Sequence, residues 1–278
     1  MERGSYMLPV SVGCSYNRCK FCILFKHLQY RELPLEQIEQ ELQRVKRVGG
    51  DPERVFLGDG NAFQLETDRL LTILELVRRY FPSCRAVNMD ATVTSVSQKS
   101  DQALVQLAQA GVSRLYLGIE SGLDDVLTQM DKDHNLAQAY RQIERMQQAG
   151  MIYDAHMMTG VAGKGRGLEN ARATAAFFNR TRPSRIVNFS MFVHRSAPLY
   201  REIEAGRFQP ATELENLEED RLLLQLLEDW PAEYDGFHDH ILIRVRGTLP
   251  QDRAKMLDKL DREIEKRRDL PPEISWAR

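Results

Sequence analysis

The stretch GCSYNRCKFC (residues 13–22) carries three of the four cysteines in the chain. Cys14, Cys19 and Cys22 follow the spacing Cys-x4-Cys-x2-Cys, directly after a short apolar run at residues 8–12. Three thiolates on one loop can hold three irons of a [4Fe–4S] cluster, whereas an ordinary electron-transfer cluster uses four cysteines. The spacing therefore predicts a cluster in which one iron is open to an outside ligand.

This spacing resembles the signature of the radical S-adenosylmethionine (radical SAM) superfamily, usually Cys-x3-Cys-x2-Cys with an aromatic residue before the third cysteine. Phe21 occupies that position, and the first gap is one residue longer here. The resemblance implies that Cys14, Cys19 and Cys22 bind the cluster and that Phe21 lies at the cofactor. It also implies that SAM binds the open iron and is cleaved reductively to a 5′-deoxyadenosyl radical, which abstracts hydrogen from a substrate. Cofactor chemistry of this kind needs binding and orientation from the protein.

Two other uses of the cysteines remain open at this level. A structural zinc site normally has four Cys or His ligands, and His27 is a candidate for the fourth. Disulfides are disfavoured because the chain shows no secretory h-region and only one further cysteine, Cys84. We expect Cys84 to be a small, buried or half-buried side chain that takes no part in metal binding.

Composition excludes several classes of protein. Apolar residues make up 42% of 278 residues, which is enough for a sizeable core, and no apolar run approaches the roughly 18 residues of a membrane span. The net charge of −2 gives no sign of the basic face that a nucleic-acid-binding protein carries. We therefore expect a soluble, cytoplasmic protein that binds neither nucleic acid nor membrane.

Strand-like runs alternate with amphipathic helices, which predicts a parallel α/β sheet with right-handed crossovers. The runs lie at residues 8–12, 54–57, 86–93, 114–119, 153–159 and 185–193. Six such units agree with the partial (β/α)6 barrel that the radical SAM resemblance implies. We predict a core barrel at residues 1–207 and a mainly helical C-terminal extension at residues 208–278, packed on the barrel.

Glycine-rich or charged residues follow the predicted strands, where α/β barrels place their sites. The resemblance implies that Gly58, Asp59 and Gly60 approach the amino group of SAM through their backbone. Glycines allow such close approach, although Gly-Asp-Gly alone is also a common turn. Asp90, at the end of the third strand, resembles an acidic residue near SAM, and a structural charge paired elsewhere is an equally good interpretation.

The stretch GIESG (residues 118–122) follows the fourth strand and resembles the Elongator-like and methylthiotransferase-like subgroup of the superfamily. In that subgroup it implies that Glu120 and Ser121 bind SAM, with Glu120 accepting hydrogen bonds from the ribose hydroxyls. Lys132 resembles a basic residue that the subgroup places beyond this motif, facing the SAM carboxylate. An exposed lysine is the alternative for Lys132.

Three histidines are candidates for the substrate side. His156 ends the fifth strand, although a histidine in an apolar strand is often a core residue. His238 and His240 lie in the extension, which we expect to cover the open barrel and exclude water from a reactive radical. Surface histidines are the alternative there.

The function predicted from the sequence is that of a radical SAM enzyme acting on a small-molecule or peptide-like substrate, with an electron donor such as flavodoxin or ferredoxin. A radical SAM enzyme that modifies RNA is one alternative. The other is a non-enzymatic iron–sulfur or zinc protein.

Overall fold

A computed structural model describes residues 4–275 and has an α/β fold with a mostly parallel sheet. Its residues form two compact units, which are interleaved along the sequence. The first unit contains residues 4–17, 24–117 and 140–153. The second unit contains residues 18–23, 118–139 and 154–275. The predicted extension therefore belongs to the same unit as residues 154–207, and a domain boundary at 207/208 stays a prediction.

The strands are β1 (Tyr6–Pro9), β2 (Ser11–Val12), β3 (Arg31–Glu32), β4 (Arg54–Gly58), β5 (Ala86–Ala91), β6 (Val112–Glu120), β7 (Ile152–Thr159), β8 (Arg185–Ser190), β9 (Ala232–His238) and β10 (Ile243–Leu249). The α-helices are α1 (Leu35–Arg47), α2 (Thr67–Tyr80), α3 (Val93–Ser97), α4 (Asp101–Gln109), α5 (Asp124–Gln129), α6 (Leu136–Gln148), α7 (Gly167–Thr181), α8 (Pro198–Glu204), α9 (Glu213–Leu226) and α10 (Arg253–Arg267). Short 3₁₀ turns lie at Ala62–Gln64 and Asp239–Ile241.

In the first unit, β1, β4, β5 and β6 pair in that order, all in parallel. Leu8 pairs with Leu57, and Leu57 pairs with Met89, so equivalent apolar side chains lie side by side. These residues are fully buried, as is usual where helices cover a parallel sheet. The consequence for function is that the ends of β4 and β5 lie at the same edge of the sheet.

In the second unit, β7 pairs with β8 and β8 with β9 in parallel, whereas β10 returns antiparallel to β9. Helix α9 packs on α7 and α10. Along β9, Tyr234, Gly236 and His238 are buried, and the alternate residues Asp235 and Phe237 are only half-buried. Because successive side chains on a strand point to opposite faces, β9 has one packed face and one more open face.

The structure differs from the sequence prediction at several elements, and the sixth predicted strand ends at Ser190, three residues early. The predicted first strand is divided, because only β1 joins the sheet while β2 pairs antiparallel with β3. The third strand ends two residues early, since Thr92 caps α3 through a capping box with Ser95. The extension contains the antiparallel pair β9–β10 besides its helices, and sequence reasoning did not predict this pair.

Within residues 4–275, no helix combines the length and the apolar character needed to cross a bilayer.

Candidate cofactor-binding site

In the first unit, the loop after β4 lies against the segment that carries Cys14. The backbone N–H of Gly13 donates to Asp59 Oδ2 at 3.3 Å, and the amide of Asn61 donates to Ser15 Oγ at 3.1 Å. The N–H of Asp59 donates in turn to Ser11 Oγ at 3.3 Å. Hydrogen bonds on both sides of Cys14 therefore fix this cysteine beside the predicted glycine-rich loop.

Gly60 allows the closest approach in this region. A Cβ atom at Gly60 would lie 2.8 Å from Cys14 Cβ and 2.7 Å from the ring of Phe25. Such distances are well inside normal contact, so a residue with a side chain would displace the cysteine segment. The glycine predicted to approach SAM thus has a further role, which is to let the loop pack directly on Cys14.

Asp90 is half-buried near the end of β5, and burial together with the charge of Asp59 raises its pKa to about 7. A carboxyl with such a pKa is partly protonated near neutral pH, so Asp90 can donate as well as accept a hydrogen bond. Asn61 Oδ1 accepts from the N–H of Thr92 at 3.2 Å and links the two strand ends. The structure therefore brings the loop after β4 and the end of β5 together.

In the second unit, Cys19 and Cys22 lie on a segment held by backbone hydrogen bonds. The N–H of Lys20 donates to Met130 O at 3.0 Å, and Lys20 O accepts from the N–H of Leu199 at 2.9 Å. The N–H of Cys22 donates to Cys19 O at 3.3 Å, which closes a tight turn between the two thiols. The turn places both cysteines beside the residues that follow α5.

Glu120 and Lys132 form a buried ion pair next to this turn. Lys132 Nζ lies 3.2 Å from Glu120 Oε1, with side-chain exposures of 6% and 11%. Lys132 also lies over the ring of Phe21, 5.9 Å from its centre. Burial alone would lower the pKa of Lys132, but the charges of Glu120 and Cys19 outweigh it and raise this pKa. The basic residue predicted to face the SAM carboxylate is therefore already the counter-charge of Glu120.

Burial and the charge of Lys132 also act on the thiol of Cys19. Burial raises the pKa of Cys19 to about 11, and the charge of Lys132 opposes this increase. A protein thiol must lose its proton to become a metal ligand, so metal binding here would release a proton. Lys132 supplies the positive charge that favours the thiolate form.

Glu120 adopts a backbone conformation that is rare for its residue type. Its φ angle is 66°, in the left-handed region, which costs a residue with a side chain roughly 1–2 kcal/mol. The preceding Gly118 leaves room for the carboxylate, since a Cβ there would lie 2.6 Å from Glu120 Oε1. Strained residues of this kind are concentrated at functional sites. In this conformation the carboxylate of Glu120 reaches Lys132.

The side chain of Ser121 forms hydrogen bonds within the protein. Its side chain is fully buried, its hydroxyl donates to Asn170 Oδ1 at 2.5 Å, and it accepts from the N–H of Leu123 at 3.1 Å. The donor and one acceptor site of this hydroxyl are therefore used within the protein, and a contact of Ser121 with SAM stays a prediction. Ser121 fixes the turn that follows Glu120.

A hydrogen-bonded chain continues from Ser121 into the extension. Asn170 Nδ2 donates to Glu219 Oε1 at 2.7 Å, and the N–H of Gly160 donates to Glu219 Oε2 at 2.8 Å. Complete burial raises the pKa of Glu219 to about 8, because ionising an enclosed carboxyl is costly. Glu219 on α9 thus connects the turn after β6 with the loop after β7.

The predicted substrate histidines have three different surroundings. His156 is half-buried, in edge contact with Phe189 at 5.7 Å between ring centres, and burial lowers its pKa to about 3. His238 has no exposed side-chain surface and bonds Asp220 Oδ2 at 3.0 Å on the packed face of β9. His240 lies in the turn after β9, 2.8 Å from Glu273 Oε1. His238 directly follows Phe237, which lies on the half-open face of β9, so the side chain of His238 lies on the opposite, packed face. Its place in the substrate pocket stays a prediction. The role of His240 stays a prediction.

Sequence reasoning missed Asn61 in the first unit and Asn170 and Glu219 in the second, each of which fixes a loop of its own unit. Asn61 directly follows the Gly-Asp-Gly signal and was a detectable candidate for that reason. Asn170 and Glu219 lie on helices that were judged by their apolar residues, and a single sequence gives no sign that an acid on such a helix is buried.

The three thiols fit the donor set of an iron–sulfur cluster. Cys14, Cys19 and Cys22 are half-buried and free of disulfides, and iron–sulfur clusters are held by thiolates. Over residues 4–275, no three His, Cys, Asp or Glu side chains are gathered as a preformed ion site, so the ligand set is inferred from the chemistry of the thiols. His27, the candidate fourth zinc ligand, is exposed to solvent.

Several solved structures share this fold. Coproporphyrinogen III oxidase (HemN) from Escherichia coli matches with a TM-score of 0.62 and 14% identity, covering 80% of this chain and 52% of the other. Elp3 from the archaeon Methanocaldococcus infernus matches with a TM-score of 0.58 and 15% identity, covering 98% of this chain and 65% of the other. At these identities the likeness concerns the fold alone.

Sequence comparison gives a closer relationship. Heme chaperone HemW from Bacillus subtilis (strain 168) is 24% identical over 198 residues, which are 70% of this chain. The chain spans about half the length of this curated relative, since the match covers 51% of it. Residues 8–178 match the model of the radical SAM superfamily. Because this match includes the cysteine segment and more than half of the chain, the protein belongs to the radical SAM superfamily, whose enzymes use a [4Fe–4S] cluster and S-adenosylmethionine.

Proposed function

We propose that this protein cleaves SAM reductively and uses the resulting radical to abstract hydrogen from a small-molecule or peptide-like substrate. The observation that carries the proposal is the position of Lys132, which pairs with Glu120 and lies over Phe21 of the cysteine segment. The charge at the end of β6 and the segment of Cys19 and Cys22 thereby lie in one unit. When bound, the cluster and SAM supply one-electron cleavage of the sulfonium C–S bond, with the electron coming from an outside reductant.

In this proposal Cys14, Cys19 and Cys22 hold the cluster, and the other residues bind and orient SAM. The backbone of Gly58, Asp59 and Gly60 is available to accept the amino group, since this loop is tied to the segment of Cys14. Asp90, with its pKa near neutrality, is available for a hydrogen bond from or to the same ligand. Glu120 retains a carboxylate oxygen that is not in the closest contact with Lys132, and this oxygen suits a ribose hydroxyl.

We further propose the Elongator-like and methylthiotransferase-like subgroup, on the basis of the GIESG stretch at residues 118–122. The fold likeness to Elp3 is compatible with this assignment and does not by itself support RNA as the substrate. A flavodoxin or ferredoxin is the expected electron donor. Free thiols that bind a cluster are best preserved in a reducing compartment, which supports a cytoplasmic location.

The test is anaerobic reconstitution with iron and sulfide, followed by incubation with SAM and dithionite. We expect methionine and 5′-deoxyadenosine to form in equal amounts, and we expect neither product with Cys19→Ala. A wild-type protein that binds four irons and SAM but forms no 5′-deoxyadenosine would refute the proposed activity. Stoichiometric zinc in protein purified without air would refute the cluster.

A further inference from the structure

Four side chains form a continuous row across strands β7, β8, β9 and β10 of the second unit. His156 on β7 meets the ring of Phe189 on β8 edge-on, with 5.7 Å between ring centres. Phe189 stacks with Phe237 on β9 at 5.6 Å and an interplanar angle of 12°. The guanidinium of Arg244 on β10 lies over Phe237, 4.2 Å from the ring centre. Each strand contributes one member, and the strand register places Phe189 beside Phe237 and Phe237 beside Arg244.

The row lies on the sheet face opposite the buried network of α9. Along β9, Tyr234 and His238 both form hydrogen bonds with Asp220 of α9. Phe237 directly precedes His238, and successive side chains point to opposite faces, so Phe237 points away from α9. All four members of the row are half-buried, whereas the residues on the packed face are buried. Side chains of a hydrophobic core are usually fully buried, whereas the side chains of this row remain partly accessible to solvent.

The orientation of the rings decides which part is presented outward. Phe189 and Phe237 lie nearly parallel with their centres 5.6 Å apart, and the guanidinium of Arg244 lies over a face of Phe237. Side chains stand roughly perpendicular to a sheet, so ring edges and guanidinium edges are what the row presents. Aromatic edges carry partial positive charge and aromatic faces partial negative charge. The row is therefore an apolar, weakly electropositive strip, which complements the electron-rich face of another flat ring.

The charge of Arg244 is balanced inside the strip. Its Nε donates to Asp235 Oδ1 at 2.6 Å, and its Nη2 donates to Asp235 Oδ2. This two-point pair holds the guanidinium flat on Phe237 and leaves little net charge for an anion. A neutral conjugated ring fits the strip better than a strongly charged group.

We propose that this row, His156, Phe189, Phe237 and Arg244, binds a flat, electron-rich conjugated ring of the substrate, which lies with its face on the ring edges. The proposal rests on the proposed function, because it assigns the row to the substrate of the SAM-dependent reaction. The position of His156 supports that connection, since His156 lies on β7, which neighbours β6 in the sheet, and β6 ends at Glu120. The substrate class is thus an aromatic compound or conjugated heterocycle.

The test compares two neutral probes of similar size, 2-naphthol and its saturated, puckered counterpart decahydro-2-naphthol. Dissociation constants are measured by calorimetry and saturation-transfer NMR on the reconstituted protein without SAM. We expect 2-naphthol to bind at least tenfold more tightly than the saturated probe. Phe189→Leu and Phe237→Leu should each weaken 2-naphthol binding about three- to tenfold, as the loss of an aromatic contact predicts. Neither change should affect the saturated probe.

Phe192→Leu is the matched control, because Phe192 is 44% exposed and lies outside the row. We expect Phe192→Leu to bind 2-naphthol like the wild type. Equal affinity for the two probes in the wild type, or an equal loss in Phe192→Leu and Phe237→Leu, would overturn the inference. The probe comparison in wild-type protein needs no variant and so does not depend on variant folding. If 2-naphthol binds as expected but no SAM is cleaved, the proposed function fails while the binding strip stands. If SAM is cleaved but flat and puckered probes bind alike, the strip fails while the proposed function stands.

Discussion

Lys132 and Glu120 neutralise each other in an almost closed environment, with 3.2 Å between Nζ and Oε1. Neither side chain has enough contact with water to be solvated alone. Removing one partner of a buried ion pair is strongly destabilising, because the charge of the other partner is then poorly compensated. We therefore expect a single substitution of Glu120 or Lys132 to lower the free energy of unfolding substantially.

Glu120→Gln should lower the free energy of unfolding by about 3–5 kcal/mol, because it removes the carboxylate that pairs with the buried ammonium of Lys132. The measurement is urea denaturation of the protein without cofactors. The neighbouring pair Arg18–Asp131 is the control, since its side chains are 68% and 36% exposed. Asp131→Asn should cost less than about 1 kcal/mol. The double variant Glu120→Gln with Lys132→Met should recover part of the loss, and equal costs for Glu120→Gln and Asp131→Asn would contradict this account.

If Cys14, Cys19 and Cys22 bind the cluster, replacing any of them should change the iron content, whereas replacing Cys84 should not. Changing Cys14, Cys19 or Cys22 to Ala should abolish the cluster, whereas the wild type should hold about four irons and four sulfides per chain. Cys84→Ala is the matched control, because Cys84 lies far outside residues 13–22 and its Sγ donates to Ala86 O at 3.6 Å. Iron and sulfide analysis after anaerobic reconstitution provides the measurement. A fully loaded Cys14→Ala or Cys22→Ala protein would show that the ligand set is wrong.

Asp59→Asn should weaken SAM binding about ten- to a hundredfold while leaving the iron content nearly unchanged. In the proposed site the substitution removes a negative charge near the amino group of SAM, and a hydrogen bond to a charged group contributes roughly 1.5–3 kcal/mol. Asp68→Asn serves as the control in the same unit, since Asp68 is exposed in the first turn of α2. Equilibrium binding of SAM to both reconstituted variants measures the effect. Normal SAM affinity in Asp59→Asn would mean that the loop after β4 does not bind SAM through this charge.

Glu219 predicts a specific dependence of stability on pH. Burial raises its pKa from 4.5 to about 8, so the folded state keeps a proton that the unfolded state has lost between these values. Stability should therefore fall as pH rises from about 4.5 to about 8, by roughly 1.4 kcal/mol per pH unit from this group, and stay level above that range.

Glu219→Gln should remove this contribution, because glutamine does not ionise. The difference in unfolding free energy between wild type and Glu219→Gln, measured at pH 5, 6, 7 and 8, should shift steadily against the wild type. Glu218→Gln, at the half-buried neighbouring position on the same helix, should keep the wild-type dependence. A constant difference between wild type and Glu219→Gln across this range would show that Glu219 ionises normally.

Sequence reasoning predicted most of the sheet because buried parallel strands are continuous apolar runs with turn residues at their ends. The five runs after the first correspond to β4, β5, β6, β7 and β8, with differences at their ends. The first run was misjudged, since Val10 separates two short strands that pair with different partners. The hairpin of β9 and β10 was missed because its half-open face carries polar and aromatic residues in place of an apolar pattern.

Helix α9 shows why the site was only partly predictable. Its leucines suggested an apolar inner face, but Leu226 is exposed while Glu213, Asn216, Glu219 and Asp220 are buried. Burial of acids is costly unless hydrogen bonds compensate them, and the donors for Glu219 come from positions 160 and 170. Partners so distant in sequence leave no trace in the local pattern, whereas the cysteine spacing and the strand-end signals are local and were readable.

One strand, β9, supplies both the interior contact of His238 and the outward ring of Phe237, at adjacent positions. A shift of its pairing by one residue would exchange these two side chains between the faces, placing a large apolar ring against Asp220 and a histidine beside Phe189. Insertions or deletions of a single residue between Leu227 and Ala232 should therefore be far more damaging than substitutions there. For a designer who wishes to change what this protein recognises, the open-face positions of β9 can be varied one by one, but the length of the segment leading into it has to be kept.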